Sequence, residues 1–237
     1  MKNKTNPEVK PSPATHVAGT KSLLSTKTLT PAQKELILNA GIGLVEKEFI
    51  SIVSLNFQLN SIPENIIFTS KNAVKAILDH PAVSQLRTRN VFCVGEKTAA
   101  LLKENDFTVV KAADYGNILA DAIVKNYQKE DFLFFCGKNR HPALPDTLKA
   151  NGVRLIEIEV YDTLLEPKKI DRIFDGVLFF SPSAVQSFYS ENTAEESIAF
   201  CIGKTTASEA EKYTGNIVVA NKPTTENLIV QAVKKFK

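Results

Sequence analysis

Two stretches of this chain repeat each other in the same order, and that restricts the fold more than any other feature of the sequence. Ile67-Phe68-Thr69-Ser70-Lys71-Asn72-Ala73-Val74 corresponds to Leu178-Phe179-Phe180-Ser181-Pro182-Ser183-Ala184-Val185, with Ser70 and Ser181 standing 111 positions apart. Phe92-Cys93-Val94-Gly95-Glu96-Lys97-Thr98-Ala99 corresponds to Phe200-Cys201-Ile202-Gly203-Lys204-Thr205-Thr206-Ala207 at an offset of 108, and Leu119 falls near Leu228 at an offset of 109. Segments recurring in order at nearly constant spacing mark two similar units. Each unit carries a strand–Ser–helix corner and a strand–Gly-x-x-Thr–helix corner.

The segments around these corners alternate between two kinds of pattern. Short apolar runs at Ile66–Thr69, Asn90–Val94, Thr108–Val110 and Phe132–Cys136 read as strands, and helices are predicted to start near Asn72, Thr98, Asn117 and Pro142. The runs do not alternate apolar with polar, as expected of parallel strands covered on both faces. Upstream, Ser22–Thr26 reads as a strand, and Thr30-Pro31-Ala32-Gln33 supplies a Thr cap, a Pro at the first helical position and a Gln three residues after the cap. That helix stops at Gly41, and Phe49–Leu55 alternates apolar and small polar residues like a strand. The predicted fold class is α/β, built as doubly wound parallel sheets. A length of 237 residues accommodates two such domains. Residues 1–16 lack any apolar period and are expected to form a flexible tail.

Composition removes several classes of function. With 43% hydrophobic and 23% charged residues the chain is globular, and 29 Lys+Arg against 26 Asp+Glu leave +3, too weak and dispersed for a duplex nucleic-acid protein. Cys93, Cys136 and Cys201 each sit in an apolar run without a C-x-x-C pair, which fits buried hydrophobes in a reducing compartment. His16, His80 and His141 are scattered, so neither a metal centre nor a His-based triad is expected. No apolar stretch is long enough to span a membrane, the N-terminus lacks the apolar core of a signal peptide, and a soluble cytoplasmic protein is expected.

Ligands of doubly wound sheets settle at the carboxyl ends of the strands, where the following helices begin. Helix N-termini carry unsatisfied N–H groups and partial positive charge, so several of them bind anions without a large net charge. Ser70, Ser181, Ser183, Thr98 and Thr206 could add hydroxyl donors. Taken singly, each also fits a plain helix cap; taken together, two matching sets could grip a ligand with many carboxylates or phosphates. Gly203-Lys204-Thr205 is not the end of a phosphate-binding loop, because the first glycine of that motif would fall on Ile198, and the Gly95 copy fails at Asn90. Gly41-Ile42-Gly43 ends a helix rather than following a strand, which argues against a dinucleotide site.

Seven segments in order resemble the uroporphyrinogen-III synthase family: Ile67-Phe68-Thr69-Ser70-x-Asn72-Ala73-Val74; Val94-Gly95-x-x-Thr98-Ala99; Cys136-Gly137-x-x-Arg140 with Leu144, Leu148 and Gly152-Val153; Val160-Tyr161-x-Thr163; Phe180-Ser181-Pro182-Ser183-Ala184-Val185; Ile202-Gly203-x-Thr205-Thr206-Ala207; and Pro223-Thr224-x-Glu226-x-Leu228. The first strand departs from the family, running into Thr26-Lys27-Thr28 where Thr-Arg-Pro is usual, and neither Gly95 nor Gly203 is followed by the Pro often found there. The resemblance implies two α/β domains joined by a two-strand linker, with the first domain discontinuous. Its expected boundaries are 17–50 and 168–237 for domain 1, 51–56 and 161–167 for the linker strands, and 57–160 for domain 2.

The resemblance further implies cyclisation of hydroxymethylbilane to uroporphyrinogen III, with loss of water and inversion of the fourth ring, in tetrapyrrole (heme) biosynthesis. Its eight carboxylates would match two rims of helix N-termini. On this basis the substrate-binding set is Thr69, Ser70, Lys71, Asn72, Thr98, Gly137, Arg140, Ser181, Ser183, Gly203, Lys204, Thr205, Thr206 and Thr224. Lys71, Lys204 and Arg140 are equally compatible with solvated surface positions. Tyr161 matches a family tyrosine proposed to help the hydroxyl depart, and is otherwise an ordinary packing residue. No cofactor and no metal are implied. The expected partner is the linear tetrapyrrole substrate of a monomeric protein, with no nucleic acid and no membrane, and a transient contact with the preceding pathway enzyme is left open. A non-catalytic module that binds a polyanionic small ligand is the alternative.

Overall fold

A computed structural model describes residues 20–237; the tail expected at 1–16 and the domain start at 17–19 lie outside the described residues. The chain opens with β1 (Ser22–Ser25), α1 (Pro31–Leu38), β2 (Gly43–Glu46) and β3 (Ile50–Ser54). It continues through β4 (Asn65–Phe68), α2 (Lys71–Leu78), α3 (Val83–Arg87), β5 (Asn90–Val94), α4 (Glu96–Glu104), β6 (Thr108–Ala113), α5 (Gly116–Tyr127), β7 (Asp131–Gly137), α6 (Ala143–Ala150) and β8 (Arg154–Leu165). The last part comprises β9 (Gly176–Phe179), α7 (Pro182–Tyr189), β10 (Ile198–Cys201), α8 (Lys204–Ala210), β11 (Ile217–Val219) and α9 (Thr225–Phe236). Residues up to Ser51 and Leu165–Lys237 form one compact unit, and Ile52–Leu164 form the other.

The first unit holds a sheet of order β11-β10-β9-β1-β2, in which every pairing is parallel. The second holds the order β3-β8-β7-β4-β5-β6, parallel from β8 to β6. Beyond β3, Leu55 N–H donates to Val160 O at 2.9 Å while Glu166 N–H donates to Phe49 O at 2.9 Å. One index rises as the other falls, so these two strands run antiparallel. The α/β architecture with parallel sheets agrees with the expected fold class. If β9, β10 and β11 are matched with β4, β5 and β6, then β1 and β2 fall where β7 and β8 stand, so the two sheets share one spatial order with the chain cut at different points.

Both faces of each sheet are covered, which accounts for the apolar runs. Leu24, Val177, Phe179, Ala199 and Cys201 lie in one core cluster and Leu23, Leu178 and Phe200 in another, so successive residues of one strand feed opposite cores. The second unit repeats the device, with Ile66, Phe68, Val91, Cys93, Leu133 and Phe135 on one side and Ile67, Phe92, Phe132, Phe134 and Cys136 on the other. The three cysteines are buried strand residues, and burial pushes their thiols up to about 11 for Cys93 and Cys136 and about 12 for Cys201. They are core hydrophobes rather than nucleophiles. The Thr30 cap forms as expected: its hydroxyl accepts from Gln33 N–H at 3.3 Å, and the Gln33 side chain accepts from Thr30 N–H at 3.1 Å.

Three elements were not anticipated, namely β2, α3 and β11, and β8 begins well before the linker strand expected at 161–167. Each of the three spans five residues or fewer, too short to establish a period of its own.

The first strand is anchored at its start by Asp175. This carboxylate accepts from Lys21 Nζ at 2.7 Å, Ser22 N–H at 2.9 Å and Ser22 Oγ at 3.2 Å. Burial pushes the Asp175 carboxyl up, but these donors outweigh it and hold it below the usual carboxylate range. A lowered folded value means that the stabilisation is present above the unfolded pKa and disappears as pH falls through the folded one. Asp175→Asn is expected to cost about 1–3 kcal/mol at pH 7. In urea denaturation followed from pH 7 downward, the gap between wild type and variant should close through the acid range; a gap independent of pH would remove the charge from the account.

Candidate functional site

In each sheet the strand order reverses direction once, between β1 and β9 in the first unit and between β4 and β7 in the second. Ligands of open α/β sheets bind outside the carboxyl ends of the strands at such points. The residues that follow these four strands therefore form the candidate rim of each unit.

In the first unit, Thr26 N–H and its hydroxyl both donate to Leu178 O, at 3.2 and 2.7 Å, and lock the end of β1 to β9. Ser181 caps α7, its hydroxyl oxygen accepting from Ala184 N–H at 3.1 Å. The hydroxyl proton remains available to an acceptor beyond the helix. Ser183 is half-buried in the first turn of α7, Thr224 caps α9 by accepting from Asn227 N–H at 3.2 Å, and Lys204 and Thr205 are exposed at the start of α8. Gly203 precedes α8 with an extended φ of −172° and nothing within 4 Å of an added Cβ, so its position does not require glycine.

Two of the expected rim hydroxyls, one in each unit, lie deeper than the others. Thr206 and Thr98, expected as rim hydroxyls, are only 1% and 5% exposed. Each occupies the third position of its helix, after Gly203 and after Gly95, and turns inward while the residues before it face solvent. They serve packing. The two corners also differ in backbone, because Gly95 has φ +87°, where a side chain would be strained.

In the second unit, Ser70 caps α2 by accepting from Asn72 N–H at 3.1 Å, with Lys71 exposed and Thr69 and Asn72 half-buried beside it. The adjacent β7 ends at Gly137, and Arg140 follows. Arg140 is not a free cation: its guanidinium pairs with Glu157, which also accepts from Lys149 Nζ at 2.6 Å. Burial pushes the Glu157 carboxyl up, and the hydrogen bonds from Lys149 and Arg140 more than offset it, leaving it below the usual range. Lys138 stands 3.6 Å from Asp162. Tyr161 on β8 is half-buried with its ring against the backbone of Gly137, and its hydroxyl has no hydrogen-bond partner among the described residues.

Lys27 is the rim residue that the sequence analysis did not assign. Its ammonium donates to Thr225 Oγ1 at 3.0 Å and lies 4.2 Å from the Phe180 ring centroid, at the switch point of the first sheet. The signal was present in the cyclic match of the two units, which puts the residues after β1 where those after β7 stand. Among the described residues no group of His, Cys, Asp and Glu is arranged to hold a metal ion, and no helix is long and apolar enough to cross a membrane. A cavity of about 380 Å³ bounded by Phe174, Val177, Phe188 and Ser197 opens at the amino ends of β9 and β10, away from the rim.

These hydroxyls therefore have a measurable structural role whatever else they do. Ser181→Ala is expected to lower unfolding free energy by about 1 kcal/mol through loss of the cap. An unchanged denaturation midpoint would mean that the helix start is held by other contacts.

Comparison with known proteins gives concordant results. The family model described as uroporphyrinogen-III synthase HemD matches residues 33–230. A uroporphyrinogen-III synthase of Chlorobaculum parvum is 27% identical over 169 residues, covering 62% of this chain and 69% of the relative. A porphyrin biosynthesis protein HemD of Ruminiclostridium josui is 26% identical over 88% of this chain, which spans only 48% of that relative. The crystal structure of uroporphyrinogen-III synthetase from Helicobacter pylori superposes with a TM-score of 0.72 at 19% identity, covering 91% of this chain and 100% of the other, a likeness of fold.

Proposed function

The chain belongs to the uroporphyrinogen-III synthase family, and on that footing we propose that it cyclises hydroxymethylbilane to uroporphyrinogen III with loss of water and inversion of the fourth pyrrole ring. The observation that carries this reading is the extent of the family match, which runs through both copies of the repeat. The reaction makes few demands on side chains. Departure of the bilane's hydroxyl, protonated to water, leaves an electrophilic azafulvene. The substituted carbon of the last pyrrole attacks it to give a spiro intermediate, which fragments and recloses with loss of a proton. Pyrrole electrons drive each step, so the protein's work is orientation, favouring inverted closure over the spontaneous uninverted one.

The rim corners are read as receptors for the substrate's carboxylates. Thr69, Ser70, Lys71 and Asn72 serve in the second unit, and Ser181, Ser183, Gly203, Lys204, Thr205 and Thr224 in the first. Supporting this, they stand at or beside the carboxyl ends of parallel strands, and none of them is buried. Arg140 contributes its field only in part, because Glu157 neutralises it. Tyr161 is read as the acid: its hydroxyl, free of internal partners among the described residues, is available to hydrogen-bond the departing hydroxyl.

Freshly prepared hydroxymethylbilane tests the reading directly. Incubation with the protein should yield the inverted isomer in excess over the enzyme-free control; an identical isomer ratio would leave only a binding module. Tyr161→Phe should fold normally and slow turnover by about 10²-fold while still making the inverted isomer. Wild-type turnover in that variant, measured where product release is not limiting, would make Tyr161 a packing residue.

Charge at the rim provides a separate test. An acidic residue in the first turn of a helix favours the helix, so Ser183→Glu should remain folded, yet it sets a carboxylate against those of the substrate. KM should rise clearly in Ser183→Glu and little in Ser183→Ala, where one donor of many is lost at about 0.5–1.5 kcal/mol. Equal effects of the two substitutions would put Ser183 outside the substrate's reach.

A further inference from the structure

We infer that Gly137 is a positioning residue for Tyr161, acting through the absence of a side chain rather than as a ligand of the substrate. The inference rests on the reading of Tyr161 as the acid and concerns how its hydroxyl is aimed.

Two features of the strand pair converge on this tyrosine. The register of β7 and β8 runs regularly to Cys136 opposite Glu159 and then jumps to Gly137 opposite Tyr161, leaving Val160 as an extra residue. On a regular strand Val160 and Tyr161 would point to opposite faces. Here both pack against the cluster that contains Phe68, Ala73 and Phe135. The bulge has therefore re-aimed Tyr161 toward the side of the sheet where Val160 lies, as bulges beside functional sites do.

The second feature is the space that receives the ring. A Cβ at position 137 would stand 2.5 Å from Tyr161 Cζ, 2.7 Å from Cε2 and 2.8 Å from the hydroxyl oxygen. Its φ is not among the positive ones, so backbone freedom does not explain this glycine; space does. Lys138 N–H donates to Tyr161 O at 3.0 Å and holds the tyrosine's backbone beside β7, so a side chain at 137 has to turn the ring and carry the hydroxyl with it. Gly176 shows the contrasting case, where a Cβ would meet Phe200 Cε2 at 2.5 Å and only apolar packing is at stake.

The test separates aiming from folding and from binding. With 3-fluorotyrosine in place of the five tyrosines, the Tyr161 ¹⁹F resonance is identified by its loss in Tyr161→Phe. Gly137→Ala should shift that resonance selectively and lower kcat by about 10–100-fold with little change in KM. The double variant Gly137→Ala/Tyr161→Phe should be no slower than Tyr161→Phe, because both substitutions remove the same contribution. Multiplying effects, a rise confined to KM, or an unmoved resonance would each overturn the proposal. Should Gly137→Ala fail to fold, Gly137→Ala/Tyr161→Ala decides: the vacated ring space should restore folding, and persistent misfolding would show that the glycine is needed for another reason. If wild type makes no excess of the inverted isomer, or Tyr161→Phe turns over normally, the functional reading fails while the resonance and folding results still report on the positioning.

Discussion

The parallel pairing of β1 with β9 is the contact on which the first unit depends. Ser22 and Asp175, 153 positions apart, are joined by two hydrogen bonds at the start of this pair, and Thr26 closes its other end on Leu178. The approach is possible because Gly176 has no side chain: a Cβ there would stand 2.5 Å from Phe200 and 3.0 Å from Leu23. A strand at the beginning of the chain thus becomes a central strand of a sheet finished near its end. Everything between must fold as a body of its own or remain a very long loop, and the apolar content of Ile52–Leu164 ensures the former. The entropy of closing so long a connection grows only slowly with its length, so the discontinuity costs little stability. It shifts the burden to folding rate, since parallel pairings this distant form late.

The same topology determines where chemistry can happen. Both sheets reverse order at a central strand pair, and in both the corner that follows is opened by a serine cap, Ser181 or Ser70. The cations that follow β7 are matched to carboxylates of the same unit: Arg140 to Glu157, which Lys149 also contacts, and Lys138 to Asp162. Besides the exposed Lys71 and Lys204, the corners carry an array of N–H and hydroxyl donors, each contributing little alone. A net charge of +3 is compatible with recognition of a polyanionic ligand because helix N-termini supply positive potential without ionised side chains. On the proposed reading, such an array favours geometry, which suits a reaction whose difficulty lies in choosing between two ring closures.

Much of this was legible in the sequence, for identifiable reasons. Strands covered on both faces produce unbroken apolar runs, so β4, β5 and β7 were found close to their true limits, and the Thr30 and Ser181 caps have local signatures that tertiary structure did not override. Linear comparison of the repeats missed β2, however, because the units are related by cyclic rotation: β2 corresponds to β8 in position, while its four residues, Gly43–Glu46, are too short to signal a strand. The depth of Thr98 and Thr206 was not legible, because a hydroxyl two positions past the helix start resembles a rim donor in sequence, and only the helix's rotation decides that it turns inward. Lys27 went unassigned because the partner that gives its place meaning, Phe180, follows β9, a strand far along the chain.

The relation between Gly137 and Tyr161 illustrates why such information is beyond linear reading. Each residue belongs to a recognisable short motif, and nothing in either motif refers to the other. Their contact is created by register, and a shift of one residue along β8 would carry Tyr161 to the opposite face of the sheet. The extra residue that sets this register, Val160, looks in sequence like any buried strand valine, and at 0% exposure it is satisfied by packing alone. A bulge has no residue signature when it occurs inside an apolar run, because the side chains on either side of it remain suitable for a core. The glycine is therefore informative only once the facing strand is known: with a regular β8 its lack of a side chain would leave a void, and with the bulged one it is the space in which the phenol lies.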